Sequence, residues 1–356
     1  ITSEVKPADA FIIAVPTPFY EDKRADMRAV IAASESIVPH LKKGNLVILE
    51  STSPPRTTLD IVAPILEKSG LKAGKDFLLA YSPERVLPGK ILSELVENPR
   101  VIGGIDRASA EAGRALYQTF VKGEIILTDA TTAEMVKLME NTSRDINIAI
   151  ANEFARLAQQ FNVDIWEAIS IANRHPRVEI LRPGVGVGGH CISVDPWFLV
   201  EAAPEDAKLI KTAREVNDGQ PGFVGALIER AAGGLAGKTV ALLGLSFKPN
   251  VDDLRESPAV KLARHLQKAG ADVVAYEPFR MDASLEEITQ VESLEAALID
   301  ADLIVLAVAH DQFKNLDPET VKQHTKANLV FDAIRTWDKA GWELAGFRFY
   351  GLARKY

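Results

Sequence analysis

Short, unbroken apolar runs alternating with amphipathic stretches constrain this chain more than any other feature. Ala10–Val15 reads AFIIAV, Asn45–Glu50 reads NLVILE and Phe77–Tyr81 reads FLLAY. Runs without polar alternation fit strands covered on both faces, as in a parallel sheet sandwiched between helices. Helical periodicity lies between them, over Met27–Leu41 and Arg56–Ser69. The series continues with Val101–Ile102, a helix over Ser109–Phe120, and Ile125–Leu127. Such alternation predicts an α/β, Rossmann-like doubly wound parallel sheet. It begins again at Lys238–Leu245 (KTVALLGL), with a helix over Pro258–Ala269 and strands at Asp272–Tyr276, Leu303–Val308 and Asn328–Phe331. Two Rossmann-like domains are therefore expected, over residues 1–129 and 235–356.

Residues 130–234 read differently. Thr131-x-x-Glu134 has the form of a capping box and opens a helix to about Asn162. Met135, Leu138, Met139, Ile146, Ile150, Phe154 and Leu157 give that helix an apolar stripe that predicts burial. Further helices are expected over Ile165–Asn173 and around Phe223–Ala232, followed by a linker at Gly233, Gly234 and Gly237. Long helices between two α/β segments form a spine or a dimer interface, so a central helical dimerisation domain and a homodimer are expected. Gly44, Gly70, Gly103 and Gly104 read as turn residues. No G-x-G-x-x-G follows the first strand, and the GVGVGG run at 184–189 lies far from the start of any βαβ unit. The chain opens on Ile, inside what reads as an α/β unit, so the expectation is a first domain lacking its first βα unit.

The one cysteine, Cys191, stands in RPGVGVGGHCISVDPWF (182–198). Glycine in that density lets backbone come close to a ligand and present N–H groups to it. Pro196 stands where a helix can begin, and a thiol before a helix N-terminus has its thiolate stabilised. An inert core cysteine needs no such loop, which makes Cys191 a candidate nucleophile. His190 has no second Cys or His at ligand spacing and reads as a local hydrogen-bonding residue, so no metal site is expected. Asp195 either caps the helix that Pro196 opens or serves the chemistry; spacing leaves both open.

Composition narrows the class of partner. A net charge of −8 argues against a nucleic-acid surface, so anionic ligands must be held by local Arg and Lys. One cysteine excludes an intramolecular disulfide framework. No apolar run reaches membrane-spanning length and no signal-peptide pattern is present, which makes a cytoplasmic location the default. Lys137 and Asn141, four apart on the long helix, share one face; they suit a developing oxyanion, or form a plain solvated face. Glu84, in Ser82-Pro83-Glu84-Arg85, follows a strand at the edge where open α/β sheets bind ligands. Lys248 and Arg255, in SFKPNVDDLRESP, lie on a loop before a helix and suit anionic oxygens, with salt bridging as the alternative. Arg174, Arg177 and Arg182 form a basic patch before the cysteine loop. Neither H-E-x-x-H nor G-x-S-x-G occurs.

The loop GVGVGGHCISVDPWF resembles the active-site cysteine loop of the UDP-sugar 6-dehydrogenases, the UDP-glucose/GDP-mannose dehydrogenase family. The pairing of HC with VDPWF, and NRHPR at 173–177, are most similar to the branch acting on UDP-N-acetyl-D-mannosamine. Lys137-Leu138-Met139-Glu140-Asn141 resembles the family's K-L-x-x-N, and the 246–258 string its F-K-x-x-x-D-D-x-R-E-S-P signature. The resemblance implies NAD as cofactor and Cys191, Lys137, Asn141, Asp195, Glu84 and Thr52 as catalytic residues. Val15, Pro16 and Thr17 would lie against the nicotinamide half of NAD, with Thr52, Glu84 and Arg255 also meeting the cofactor. Glu84, Arg85, Lys137, Asn141, Arg177, Arg182, Gly188, Lys248 and Arg335 would meet the UDP-sugar. Arg335 departs from the pattern, standing one position after Ile334, which occupies the family's basic position.

The implied reaction is a four-electron oxidation of C6 to the uronic acid through a Cys191 thiohemiacetal and thioester, in surface-polysaccharide biosynthesis. UDP-N-acetyl-glucosamine or UDP-glucose is the alternative substrate. A non-catalytic, truncated dimeric UDP-sugar binder is the alternative of another class.

Overall fold

The apolar runs of the first half form β1 (Ala10–Ile13), β2 (Leu46–Leu49), β3 (Leu78–Tyr81), β4 (Arg100–Gly104) and β5 (Ile125–Asp129). Between them lie α1 (Arg28–Ile37), α2 (Ala63–Leu66), α3 (Ile91–Glu97) and α4 (Arg107–Tyr117). The central helices are α5 (Ala130–Phe161), α6 (Ile165–Ala172), α7 (Asp195–Ala202) and α8 (Lys208–Ala232). The second half holds β6 (Thr239–Leu243), α9 (Pro258–Lys268), β7 (Asp272–Tyr276), β8 (Thr289–Val291), α10 (Leu294–Leu298) and β9 (Leu303–Leu306). It ends with α11 (Asp311–Lys314), α12 (Pro318–Gln323), β10 (Leu329–Asp332), α13 (Lys339–Leu344) and β11 (Arg348–Gly351). The computed structural model describes residues 5–86, 91–282, 285 and 287–353. It divides into two units, Ile1–Ser143 with Val194–Lys211, and Arg144–Ser193 with Thr212–Tyr356.

In the first unit the strands lie in the order β1-β2-β3-β4-β5. Strand alternation sends Val47 and Leu49 to one face, with Val30, Leu66 and Leu79, and Leu46 and Ile48 to the other, with Ile102 and Tyr117. Fully burying each such side chain contributes about 1.5–3 kcal/mol, which is why unbroken apolar runs mark these strands. Three features depart from the sequence reading. Strands β3 and β4 pair antiparallel, so the sheet is mixed. Gly103 and Gly104 are strand residues and not a turn: a Cβ on Gly103 would sit 2.3 Å from the Asp129 carbonyl oxygen. Ile12 is 48% exposed, so β1 is covered on one face only.

The central helices also correct the sequence reading. Helix α5 begins at Ala130, and Asp129 accepts from the backbone N–H (2.9 Å) and Oγ1 (2.6 Å) of Thr132; Glu134 bonds elsewhere, so no capping box forms. Of the expected stripe only Leu138 is buried. Met135, Met139, Ile150, Phe154 and Leu157 are exposed, and the buried side of the helix carries Ala149, Ala151, Asn152, Ala155 and Ala158. Helix α8 runs 25 residues through Pro221, far beyond the expected Phe223–Ala232. Gly219, Pro221 and Gly222 lie inside it, and Gly222 and Gly225 lie against His265 of α9, where a larger residue would not fit as closely.

The second unit is a six-stranded sheet ordered β11-β10-β9-β6-β7-β8, with every pairing parallel. This is the dinucleotide-fold order, and its direction reverses between β6 and β9, so the loops after these strands border the ligand-binding crevice of such sheets. Val240 and Leu242 face Leu262 and Leu266 of α9, while Ala241 and Leu243 face a cluster containing Phe313 and the stacked Trp337–Trp342 pair, 4.3 Å between ring centroids. Among the described residues no helix is long and apolar enough to cross a membrane, and no cluster of metal-ligating side chains occurs.

Candidate active site

In the first unit the loops after β1, β2 and β3 carry Val15–Thr17, Ser51–Ser53 and Ser82–Arg85. Ser51 Oγ accepts from the Val15 N–H (2.8 Å) and donates to the Val15 carbonyl (2.7 Å), tying the first two loops together. Ser53 Oγ donates to the Ser51 carbonyl (2.9 Å), which leaves Thr52, half-buried, on a braced turn. Buried Glu134 of α5 accepts from the N–H groups of Arg56 (2.5 Å) and Thr58 (2.7 Å) and from Thr58 Oγ1 (2.6 Å). Burial raises its pKa against these bonds, which keep the carboxylate tolerable there. An acidic residue inside an apolar helical stretch was the only sequence sign of this brace.

Glu84 Oε1 accepts from the N–H groups of Arg85 (2.7 Å) and Val86 (3.1 Å), and Oε2 accepts from Arg100 Nη2 (3.0 Å). Arg100, 6% exposed, also reaches Glu50 (3.0 Å), which Tyr117 bonds in turn, and lies 4.1 Å over the Tyr117 ring. Arg100 and Glu50 escaped the sequence reading. Arg85 pairs with Glu140 of α5.

Lys137, Asn141 and Asp195 come together in this unit. Lys137 is buried, which overturns the solvated-face reading. Asn141 Nδ2 donates to Asp195 Oδ2 at 2.5 Å. Asp195 is 3% exposed, and burial pushes its pKa up to about 6 although Asn141 and the Lys137 ammonium favour the carboxylate. It does not cap: it is the first residue of α7, whose N-cap is Val194, and Pro196 follows within the first turn. Phe198 and Leu199 anchor α7 against Leu138 of α5. Burial also holds the Tyr81 phenol well above its ordinary value, with the charges of Glu134 and Asp195 adding to the effect.

In the second unit the cysteine loop is gripped from both ends. The Gly184 N–H donates to Asn152 Oδ1 (3.0 Å), and its carbonyl accepts from Gln220 Nε2 (3.1 Å). The Gly189 N–H donates to the Arg255 carbonyl (3.0 Å), and Ser193 Oγ donates to the Gly189 carbonyl. A Cβ on Gly188 would lie 2.7 Å from the Glu256 carbonyl oxygen and from Pro258 Cδ, so glycine permits the loop to seat on the 246–258 segment. Among the described residues no strand leads directly into the GVGVGG run, which is therefore no dinucleotide turn. Cys191 is half-buried. Arg255 pairs with Asp253 (2.7 Å), which raises its pKa, and the Cys191 charge is a smaller contributor in the same direction.

The remaining basic residues are dispersed over the second unit. Lys248 Nζ lies 5.5 Å from the Phe247 ring centroid. Arg177 and Arg182 are exposed; Arg177 lies on a turn that Asn173 closes by bonding both backbone groups of Ile180, and Arg182 follows it. Arg335, with φ 52°, donates to Asp164 (3.0 Å), the N-cap of α6.

Profiles of the UDP-glucose/GDP-mannose dehydrogenase family match the chain in three segments: the NAD-binding domain at 1–121, the central domain at 131–219 and the UDP-binding domain at 241–339. The chain is 49% identical to a UDP-N-acetyl-D-mannosamine dehydrogenase of Methanocaldococcus jannaschii, over 99% of this chain and 81% of the relative. It is also 49% identical to an NDP-N-acetyl-D-galactosaminuronic acid dehydrogenase of Ralstonia solanacearum, over 94% of this chain and 81% of that one. The solved UDP-D-ManNAc dehydrogenase of Pyrococcus horikoshii superposes with a TM-score of 0.90 at 41% identity, covering 98% of this chain and 82% of that one. The chain belongs to the UDP-glucose/GDP-mannose dehydrogenase family, the NAD-dependent dehydrogenases of UDP-sugars.

Proposed function

We propose that the protein oxidises C6 of UDP-N-acetyl-D-mannosamine to the uronic acid in two NAD-dependent steps, with Cys191 as covalent nucleophile. The observation that carries this reading is Asp195: a buried carboxylate with a pKa near 6, four residues after the only cysteine, held by Asn141 on the helix that supplies Lys137. The loops after β1 and β2 fit the nicotinamide half of NAD. Pro16 and Pro18 line an open hollow with Asp26, Arg28 and Ala29 beyond the end of β1, and Ser51 fixes Val15 beside it. Two molecules of NAD, held there in turn, would each accept one hydride.

The chain's own groups manage protons and charge. Above pH 6 Asp195 is largely ionised and, with Thr52 and an ordered water, takes the proton of the C6 hydroxyl. Cys191 thiolate adds to the aldehyde carbon, forming a C–S bond, and Lys137 and Asn141 donate to the oxygen that gains charge. The second oxidation leaves a thioester. Water, deprotonated by Glu84, displaces the thiolate and yields the carboxylate. The covalent bond explains how one enzyme completes two oxidations without releasing an aldehyde.

Lys248, Arg177, Arg182 and Arg335 supply cationic groups for the UDP-sugar, and Arg255 for the cofactor. Residues 1–129 bind NAD, 130–234 form the helical dimerisation domain with the cysteine loop, and 235–356 bind the UDP-sugar. Two copies pair through the central helices, where Ile150, Phe154, Leu157 and Phe161 leave an apolar row exposed. The protein works in the cytoplasm. Equal identity to the N-acetyl-galactosaminuronic acid enzyme supports a galacto-configured sugar as the second reading. Glu84→Gln mixed with UDP-N-acetyl-D-mannosamine and NAD tests the route: mass spectrometry of the Cys191 peptide should show the uronyl thioester. An unmodified Cys191 during measurable turnover would refute it.

A further inference from the structure

One buried cluster in the second unit has no part in the chemistry above. His310, fully buried, follows β9, and Glu277, nearly so, follows β7; both lie beside the reversal of the sheet between β6 and β9. His310 Nδ1 accepts from the Asn250 N–H at 2.9 Å. An imidazole nitrogen that accepts carries no proton, so the ring's proton sits on Nε2. Nε2 lies 3.0 Å from Glu277 Oε2 and 3.1 Å from Ser246 Oγ, and Ser246 Oγ itself donates to the Lys248 carbonyl at 3.2 Å. The proton inventory closes with a neutral histidine donating to both oxygens.

Glu277 Oε2 also accepts from the N–H groups of Leu245 (2.8 Å) and Ser246 (2.9 Å), and Oε1 from that of Phe279 (3.1 Å). Burial alone would raise its pKa, but His310 and these N–H groups hold it below the ordinary value. Asn250 is bound a second time, its Oδ1 accepting from the Asp311 N–H at 3.0 Å, and its φ of 60° fixes the turn in a left-handed conformation. The ring is wedged between Phe279 and Phe313, at 5.0 and 5.6 Å between centroids. The N–H groups of Leu245, Ser246 and Asn250 thus end on Glu277 or His310, while the Phe247 N–H donates to the Asp253 carbonyl and the Leu245 carbonyl accepts from Ser257 Oγ. Lys248 sits in the middle of that loop.

We infer that His310, in its Nε2–H tautomer and backed by Glu277, is a positioning residue for Lys248: it sets the loop that presents the lysine to the nucleotide sugar. The inference rests on the reading of Lys248 as a UDP-sugar ligand. His310 touches no reacting atom, so its removal acts on substrate affinity and leaves the chemical step intact. Losing the Asn250 tie releases that end of the loop, and His310→Ala is expected to raise KM for the UDP-sugar about tenfold. kcat and KM for NAD are expected to change by less than about twofold. His310→Asn, whose Oδ1 stands near the Nδ1 position, restores most of the affinity; His310→Gln, which keeps only a donor towards Glu277, does not.

Parallel loss in kcat and both KM values, or equal behaviour of the Asn and Gln variants, would overturn the inference. Should His310→Ala fail to fold, the ¹⁵N shifts of the His310 ring in the wild-type protein decide: the Nε2–H tautomer at pH 8 is expected, and an Nδ1–H ring or an imidazolium contradicts it. Lys248→Ala separates the two levels. If it leaves KM for the UDP-sugar unchanged, the role given to Lys248 fails, while the ring shifts still judge the loop anchor by themselves.

Discussion

Asn141→Ala removes the 2.5 Å hydrogen bond that Asp195 accepts, and the consequence has a definite sign. Asp195 stands near pKa 6 because burial penalises its charge more than Asn141 and Lys137 relieve it. A hydrogen bond to a charged group contributes about 1.5–3 kcal/mol, and 1 pK unit corresponds to about 1.4 kcal/mol. Without Asn141 the carboxylate loses part of its relief, and its pKa should climb by about one to two pH units. If Asp195 takes the C6 proton, the acidic limb of kcat/KM moves with it. NADH formation measured from pH 5 to pH 9 should place the wild-type midpoint near 6 and the variant's between about 7 and 8. The plateau should also drop if Asn141 serves the oxyanion as proposed, but the midpoint is independent of plateau height. A ¹³C titration of the Asp195 carboxyl reads the same shift without turnover. A midpoint that stays in place or moves down would refute the electrostatic reasoning.

Asp195 also ties stability to pH. Its folded pKa of about 6 exceeds the ordinary 3.8, so the stability it contributes is complete below 3.8 and lost as pH rises through 6. Relative to Asp195→Asn, the wild type should lose about 3 kcal/mol between pH 3.8 and pH 7, read by urea denaturation at each pH; parallel curves would contradict this. Gly188→Ala forces a Cβ to 2.7 Å from the Glu256 carbonyl, and should cost about 1–3 kcal/mol and most of kcat while leaving the other unit's folding unchanged. Phe154→Glu with Leu157→Glu places two charges in the exposed row of α5, and sedimentation should show a dimer converted to monomer. A wild-type monomer would end the dimer proposal.

The sheets were legible because Leu46–Leu49 and Leu303–Leu306 are apolar at every position, and only a strand covered on both faces makes that pattern favourable. The antiparallel step from β3 to β4 was not legible, since strand direction leaves no trace in a two-residue run such as Val101–Ile102. Helix α8 was hidden by Pro221 and its glycines, two of which, Gly222 and Gly225, pack against His265 from a distant part of the chain. The stripe of α5 misled because periodicity marks an apolar face without saying what covers it; within one chain, Met139 and Phe154 remain in solvent. At the site, Lys137 and Asn141 were legible as a pair by their spacing. That they converge on Asp195, that Arg100 holds Glu84, and that Glu134 braces the turn after Thr52 depend on contacts over 54, 16 and 78 residues of sequence. Spacing rules reach a few residues; those contacts are made by the fold.

The central claim is that one thiol carries a sugar through two oxidations. NADH released per limiting UDP-N-acetyl-D-mannosamine measures it most directly, with the wild-type protein and with Cys191→Ser. The account predicts a yield near two NADH per sugar for the wild type and no uronic acid from the variant. A yield near one with free aldehyde, or two NADH per sugar from Cys191→Ser, would contradict it.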